Sequence, residues 1–145
     1  MMKRITAILL TLFCVYCLTG CGSRSFSEVK IDYGKSAIYT KEEMDEAIEV
    51  IRQRFTEEQW KDCELHRITY GADEQCNAEN LAWMNELRDP GDAPEPFTRC
   101  IMFTSEFHSP KTNSGAFNTD EEYYGWQWWL ARTDGGPWQI MTCGY

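Results

Sequence analysis

The sequence predicts an α+β domain in which one long helix packs on a curved, mainly antiparallel sheet. Three observations indicate this fold class: one amphipathic helical pattern, later stretches of alternating apolar and polar residues, and a hairpin pattern at the end of the chain. Apolar residues make up 43% of the chain and aromatic residues 14%, which is enough for a packed core. We therefore expect a single domain over residues 38–145.

The helical pattern begins at a predicted capping box. Thr40 is the expected N-cap, and Glu43 is the residue three places on that returns the hydrogen bond. Apolar residues then recur at helical spacing: Met44, Ala47, Ile48, Ile51 and Phe55. This spacing predicts one helix over residues 41–58, with an acidic first turn that suits the helix dipole.

The middle of the chain predicts a strand, a second helix and another strand. Residues 63–70 read as a strand, and the change of parity between Leu65 and Ile68 indicates either a β-bulge or burial of both faces. Residues 77–88 predict a shorter helix, which ends at a Pro-Gly turn. Residues 97–107 then alternate as a strand does.

The last third of the chain predicts a long connection and a hairpin. Residues 108–122 are rich in Ser, Asn, Pro, Gly and acids, which is typical of an exposed loop. Residues 123–131 alternate clearly, and Asp134-Gly135-Gly136 supplies a turn. The returning strand runs from Trp138 to the end of the chain at Tyr145.

The chain is strongly acidic. Its formal net charge is −9 at pH 7, and removal of the predicted export signal, whose charged residues Lys3 and Arg4 are both basic, makes the charge more negative. A protein without a basic stripe cannot release the counterions of a nucleic acid, so we expect no nucleic-acid partner. The same charge repels anionic lipid headgroups, so membrane attachment is expected to be covalent.

The first 20 residues have the pattern of an export signal. Lys3 and Arg4 form a positive head and precede an apolar run. A helix of about 14 residues spans roughly 20 Å, short of the ~30 Å hydrocarbon core of a bilayer, which disfavours a transmembrane helix. The following residues, Leu18-Thr19-Gly20-Cys21, resemble the lipobox of bacterial lipoproteins.

The lipobox resemblance implies that Cys21 receives a diacylglyceryl group and that signal peptidase II cuts after Gly20. Two or three acyl chains hold a protein on a membrane far more firmly than one myristoyl chain does. The alternative is an ordinary signal peptide with an incidental cysteine. We expect a lipid-anchored protein on the extracytoplasmic face of the cell membrane, with Cys21 and a flexible tether over residues 21–37.

Two further resemblances concern the domain itself. A helix followed mainly by antiparallel strands, the last two a hairpin, is similar to the cystatin-like and NTF2-like layouts. The segment from Trp126 through Trp138 to Tyr145 resembles the end of small uncharacterised lipoproteins of Firmicutes. Neither resemblance implies an activity.

Four cysteines remain in the predicted domain: Cys63, Cys76, Cys100 and Cys143. The compartment permits disulfides and four cysteines allow three pairings, so two bridges, one bridge or none all stay open. Cys63 and His66 are the closest pair of metal-ligand type, but a separation of three places on a strand puts them on opposite faces. We expect no metal and no cofactor.

Few residues suggest catalysis. The chain has two histidines, His66 and His108, and neither lies in a nucleophile motif such as Gly-x-Ser-x-Gly. We interpret both as ordinary strand or surface histidines. The acids Asp120, Glu121 and Glu122 suggest a carboxylate pair or a cation site, but adjacent acids at a loop end are typical of a solvated surface. We therefore expect no catalytic residue.

The aromatic hairpin is the strongest functional signal. If Trp126, Trp128 and Trp138 face the core, Tyr123 and Trp129 point to the other face of the sheet. An open face with aromatic rings suits a carbohydrate or protein partner, unless a helix or a second copy of the chain covers it. We predict a non-catalytic binding or interaction module. The alternatives are a small cell-wall or surface hydrolase with acidic residues in a sheet cavity, and an accessory protein to an active partner.

Overall fold

The computed structural model describes residues 25–145, so the predicted export signal and Cys21 lie outside the described residues. The described chain has an α+β fold with five strands and two α-helices, which confirms the predicted class. In chain order the elements are β1 (Lys30–Asp32), α1 (Lys41–Arg54), β2 (Glu64–Tyr70), α2 (Ala78–Glu86), β3 (Arg99–His108), β4 (Glu122–Arg132) and β5 (Gln139–Gly144).

The five strands form one open sheet in the order β1-β2-β3-β4-β5. β1 pairs with β2 in parallel, because α1 carries the chain back between them, and all other neighbours are antiparallel. The ladder between β3 and β4 lies at the centre and has nine register pairs, the most in the sheet. β1 falls inside residues 21–37, which the sequence assigned to a flexible tether, so the fold begins earlier than predicted.

Helix α1 begins as predicted, with both hydrogen bonds of the capping box between Thr40 and Glu43 in place. The helix ends at Arg54 rather than at residue 58. The amides of Phe55 and Thr56 bond to carbonyls three residues back, which tightens the chain into turns, and the Thr56 hydroxyl also donates to the Gln53 carbonyl. The predicted C-terminal end was therefore wrong.

The two helices lie on opposite faces of the sheet. Helix α1 buries Met44, Ala47, Ile48 and Ile51 in the larger core, against Ile68, Phe103 and Trp128 of the sheet. Helix α2 buries Met84 in a second, smaller core with Cys100, Met102 and Trp129. The prediction placed a helix on one face only. The second face is partly covered as well, because α2 crosses to it between β2 and β3.

Two β-bulges flank the same part of β3. In β2 the register shifts between Leu65 and Arg67, so His66 is an extra residue there. This confirms the bulge that the change of parity predicted. In β4 three steps from Tyr123 to Trp126 match two steps of β3, and Gly125 in this bulge has φ +68°, a conformation that favours glycine.

Ion pairs hold the N-terminus of α1 against the sheet. Arg99 and Arg132 both donate to the same oxygen of Glu43, and the contact from Arg132 is 2.9 Å long. Arg132 is 7% exposed, and its guanidinium also lies over the ring of Trp138. Glu43, the acidic member of the capping box, is thus also the anion of a largely buried ion cluster.

The hairpin of β4 and β5 forms as predicted, with the turn at Asp134-Gly135-Gly136. Cys76, Cys100 and Cys143 carry free thiols, so the structure shows no bridge among the four cysteines of the domain. Burial raises the pKa of the Cys100 thiol to about 11 and also raises that of Cys143. Neither is an activated nucleophile.

Candidate functional site

The two residues predicted to share a binding face lie on opposite faces of the sheet. Tyr123 stacks on Phe107 in the larger core, with ring centroids 4.8 Å apart and planes 2° apart. Trp129 lies in the smaller core on the α2 side and is 7% exposed. The extra residue at Gly125 reverses the alternation of β4, so the predicted face of Tyr123 and Trp129 was wrong.

Trp129 nevertheless borders an aromatic cleft on the second face. The ring of Trp83 from α2 meets the ring of Trp129 edge to face, with centroids 5.3 Å apart. Trp83 is 38% exposed, so the rim carries one accessible ring. Tyr145 also lines the cleft and is 79% exposed, but its ring meets that of Trp126, which packs against the larger core. We define the aromatic cleft as the space of about 150 Å³ lined by Trp83, Gln127, Trp129, Thr142, Cys143, Gly144 and Tyr145.

Polar groups in the aromatic cleft come from facing strand positions. Trp129 pairs with Thr142 and Gln127 pairs with Gly144, so these four residues share the face toward α2. The indole nitrogen of Trp129 donates to the Gln127 side-chain oxygen at 3.0 Å, which holds both groups in place. A cleft smaller than the roughly 300 Å³ of a small-molecule pocket suits one protruding group rather than an entire cofactor.

A second constellation lies at the end of the sheet where both bulges occur. Glu122 contacts a histidine with each carboxylate oxygen: Oε1 lies 2.9 Å from Nδ1 of His66, and Oε2 is hydrogen-bonded to Nδ1 of His108 at 2.9 Å. The other ring nitrogens face Glu64 at 3.6 Å and Asp120 at 2.9 Å. We call these five residues the histidine–carboxylate cluster.

The bulge in β2 brings the histidines together. His66 is the inserted residue of that bulge, and His108 pairs with Glu64 on β2 and with Glu122 on β4. The hydrogen bond to Asp120, with that to Glu122, raises the pKa of His108 above its usual value. Residues 120–122 were predicted to form a solvated surface. Asp120 and Glu121 are exposed, as predicted, but Asp120 and Glu122 also bind His108.

A polar groove of about 390 Å³ borders this cluster on the β1 side. Its lining alternates in charge, with Lys30 and Arg67 beside Glu28, Glu64 and Glu106. Arg67 and Glu106 face each other across the strands at 3.6 Å. The charged groups of the groove therefore partly neutralise one another. His66 belongs to both the groove and the cluster.

Both ring nitrogens of His108 are hydrogen-bonded to carboxylates of the histidine–carboxylate cluster. Among residues 25–145, no Ser or Cys side chain bonds to them. The side chains are one-quarter to three-quarters exposed, as Glu122 at 26% and Glu64 at 73% illustrate. The cluster is therefore a solvated site rather than a buried one.

The described part of the chain carries no cluster of three or more His, Cys, Asp or Glu side chains that could hold a metal ion. Within residues 25–145, no helix is both long enough and apolar enough to cross a bilayer. Comparison of the chain with protein-family models, with curated proteins and with solved structures gives no match.

Proposed function

We propose that this protein is a lipid-anchored, non-catalytic binding module of the extracytoplasmic membrane face, and that the aromatic cleft receives one sugar unit of a carbohydrate chain. The single observation that carries the proposal is the accessible ring of Trp83 beside the fixed amide of Gln127 and the hydroxyl of Thr142. Aromatic faces pack on the apolar C–H face of a sugar, and amides and hydroxyls bind its hydroxyl groups.

Charge supports a neutral glycan over other partners. The net charge of −9 disfavours polyanions, and the lining of the aromatic cleft contains no charged side chain. We further propose that α1 over the antiparallel sheet is a cystatin-like or NTF2-like arrangement, to which α2 has been added on the second face. In this arrangement the contact surface is the part of the second face that α2 leaves open.

The hydrolase alternative rests on the histidine–carboxylate cluster. Five close ionisable groups beside a 390 Å³ groove are the observation in its favour. Against it, each carboxylate of the cluster is engaged by a histidine within the same cluster. Replacement of Glu122 by Gln distinguishes the glycan-binding proposal from the hydrolase alternative. A binding module should keep its affinity for glycan in this variant, whereas a hydrolase that uses the cluster would lose its activity.

The carbohydrate proposal predicts that Trp83→Ala weakens glycan binding about tenfold or more, because burial of an aromatic ring contributes ~1.5–3 kcal/mol. The measurement is a titration of the whole protein with purified cell-wall glycan fragments, followed by tryptophan fluorescence or calorimetry. Tyr124→Ala is the matched control, since Tyr124 is 64% exposed and lies outside the aromatic cleft. Equal affinity of wild type and Trp83→Ala would remove the cleft from the proposal.

The anchor proposal predicts that Cys21→Ser leaves an uncleaved precursor in cells, because the thiol is the acceptor of the acyl transfer that precedes cleavage at a lipobox. Immunoblots of membrane fractions measure precursor and mature forms by size. Cys17→Ser is the control, since it lies inside the predicted signal and should be processed normally. Mass spectrometry that finds an N-terminus other than lipidated Cys21 would contradict the anchor.

A further inference from the structure

The loop of residues 109–121 between β3 and β4 folds back on itself. Ser109 is buried, and its hydroxyl donates to the Asn118 carbonyl at 2.5 Å and accepts from the Glu121 amide at 2.9 Å. The Asp120 amide donates to the Pro110 carbonyl at 3.0 Å. The two ends of the loop are therefore tied together, so the loop can move as one unit.

The middle of this loop covers aromatic side chains of the larger core. Phe117 packs edge to face on Trp60, with ring centroids 4.7 Å apart, and also contacts Trp126 and Phe107. The Asn118 amide donates to the Tyr123 hydroxyl at 2.8 Å. Displacement of the loop would uncover this aromatic surface at the end of the sheet.

His108 joins the loop to the sheet. Its Nε2 lies 2.9 Å from Asp120 of the loop, and its Nδ1 lies 2.9 Å from Glu122 of β4. A neutral imidazole has one N–H donor and one acceptor nitrogen, so it can bond only one of these carboxylates favourably. The protonated ring donates to both. Contacts from both ring nitrogens to carboxylates are thus the geometry of a charged His108.

The backbone conformation of Asp120 favours displacement of the loop when its contact with His108 weakens. It is a non-glycine residue with φ +56°, in the left-handed region that L residues disfavour. The side-chain contact to His108 helps to hold this conformation.

We propose that the histidine–carboxylate cluster is a proton-controlled latch, which holds the 109–121 loop on the sheet while His108 is protonated and releases it when His108 is neutral. The charged groups that face His108 are Glu64 across the β2 register, Glu122 on β4 and Asp120 on the loop. His66 acts on the same site from β2 through the shared carboxylate of Glu122.

The direction of the pH effect follows from the raised pKa of His108, whose largest cause is the hydrogen bond to Asp120. A raised folded-state pKa means that protonation stabilises the closed loop. This stabilisation is fully present below the usual histidine value of about 6.5 and is lost as the pH rises through the raised value. The loop is therefore closed below about pH 6.5 and loosens as the pH rises through the raised pKa of His108.

Hydrogen exchange of the whole protein tests the latch. Peptides that cover residues 109–121 are followed from about pH 5.5 to about pH 8.5, with rates corrected for base-catalysed intrinsic exchange. We expect the protection of the loop in the wild type to fall about tenfold across the pKa of His108, because one charge-assisted hydrogen bond is lost. Peptides of the β3–β4 core should keep their protection, which separates loop release from unfolding.

Three variants sharpen the test. In His108→Gln the loop should be weakly protected at every pH, whereas His66→Gln should retain the fall because His66 does not contact the loop. In Asp120→Asn the fall should be smaller and should move to lower pH. The residue that most raises the pKa of His108 has lost its charge, and an amide can bond to neutral as well as to protonated histidine. This variant carries the test if the core peptides show that His108→Gln is unfolded.

If the hydrogen-exchange protection of residues 109–121 in the wild type did not change with pH, the latch would be overturned. The same fall in His108→Gln, loss of the fall in His66→Gln, or an unmoved midpoint in Asp120→Asn would also overturn it.

Discussion

Deletion of Met141–Tyr145 is expected to unfold the domain or to lower its free energy of unfolding by about 4 to 6 kcal/mol, through lost ladder hydrogen bonds at ~1 kcal/mol each and lost apolar burial. Thr142, Cys143 and Gly144 supply three of the five register pairs that hold β5 on β4. Cys143 and Met141 also pack against the larger and the smaller core, respectively. The loss approaches the whole stability of a small domain, ~5 to 15 kcal/mol.

Deletion of Tyr145 alone is the matched control for this truncation. The residue lies after β5 and is 79% exposed, so its loss should change the stability by well under about 1 kcal/mol. Urea unfolding followed by circular dichroism measures both proteins. If the longer truncation kept the wild-type unfolding midpoint, β5 would not be part of the cooperative fold, and the aromatic cleft would lose one of its walls.

Glu43→Ala is expected to lower the free energy of unfolding by about 2 to 4 kcal/mol, because it leaves a buried guanidinium short of its counter-ion and removes half of a capping box. Arg132 is 7% exposed and would retain only Glu46, whose side chain is 63% exposed. Arg99 would lose its carboxylate as well. Glu42→Ala is the control, since Glu42 is exposed in the same first turn.

The contribution of Glu43 should depend on pH in a defined direction. The Thr40 amide, followed by Arg99, holds the pKa of the Glu43 carboxyl below its usual value. A lowered folded-state pKa gives stability that is present above the unfolded value of about 4.3 and is lost as the pH falls through the folded value. Wild type and Glu43→Ala should therefore converge in stability on acidification. A constant difference between pH 7 and acid would contradict the role of the charge.

Local patterns in the sequence predicted the elements well where one residue type had one physical role. The capping box of Thr40 and Glu43 can be recognised from the sequence because both of its hydrogen bonds lie within four residues. The bulge at His66 is visible because Leu65 and Ile68 are both apolar at incompatible parity. The bulge at Gly125 could not be recognised from the sequence. Aromatic residues stand at both alternating positions around it, so the apolar pattern fits either face of the sheet.

The candidate sites depend on pairings between distant segments, which no local pattern reveals. His66 and His108 meet only through Glu122, and Trp83 meets Trp129 only because α2 crosses to the second face. The acid run before β4 was a signal for the first site, but its partner residues could not be chosen without the strand register. For the second site, the available signal was a tryptophan, Trp83, within the second predicted helix.

By itself, the sequence determined the α+β class, the start of α1 and the terminal hairpin, because hydrophobic period and turn chemistry are local. For β2 it left a bulge and burial of both faces as alternatives, and the strand register decided for the bulge. Only the tertiary structure decided which face each aromatic ring occupies, since a single inserted residue at Gly125 reverses the alternation of a strand. It also decided that the acids near residue 120 bind His108 rather than solvent alone. Long-range register sets both outcomes, and register is a property of paired strands rather than of any one segment.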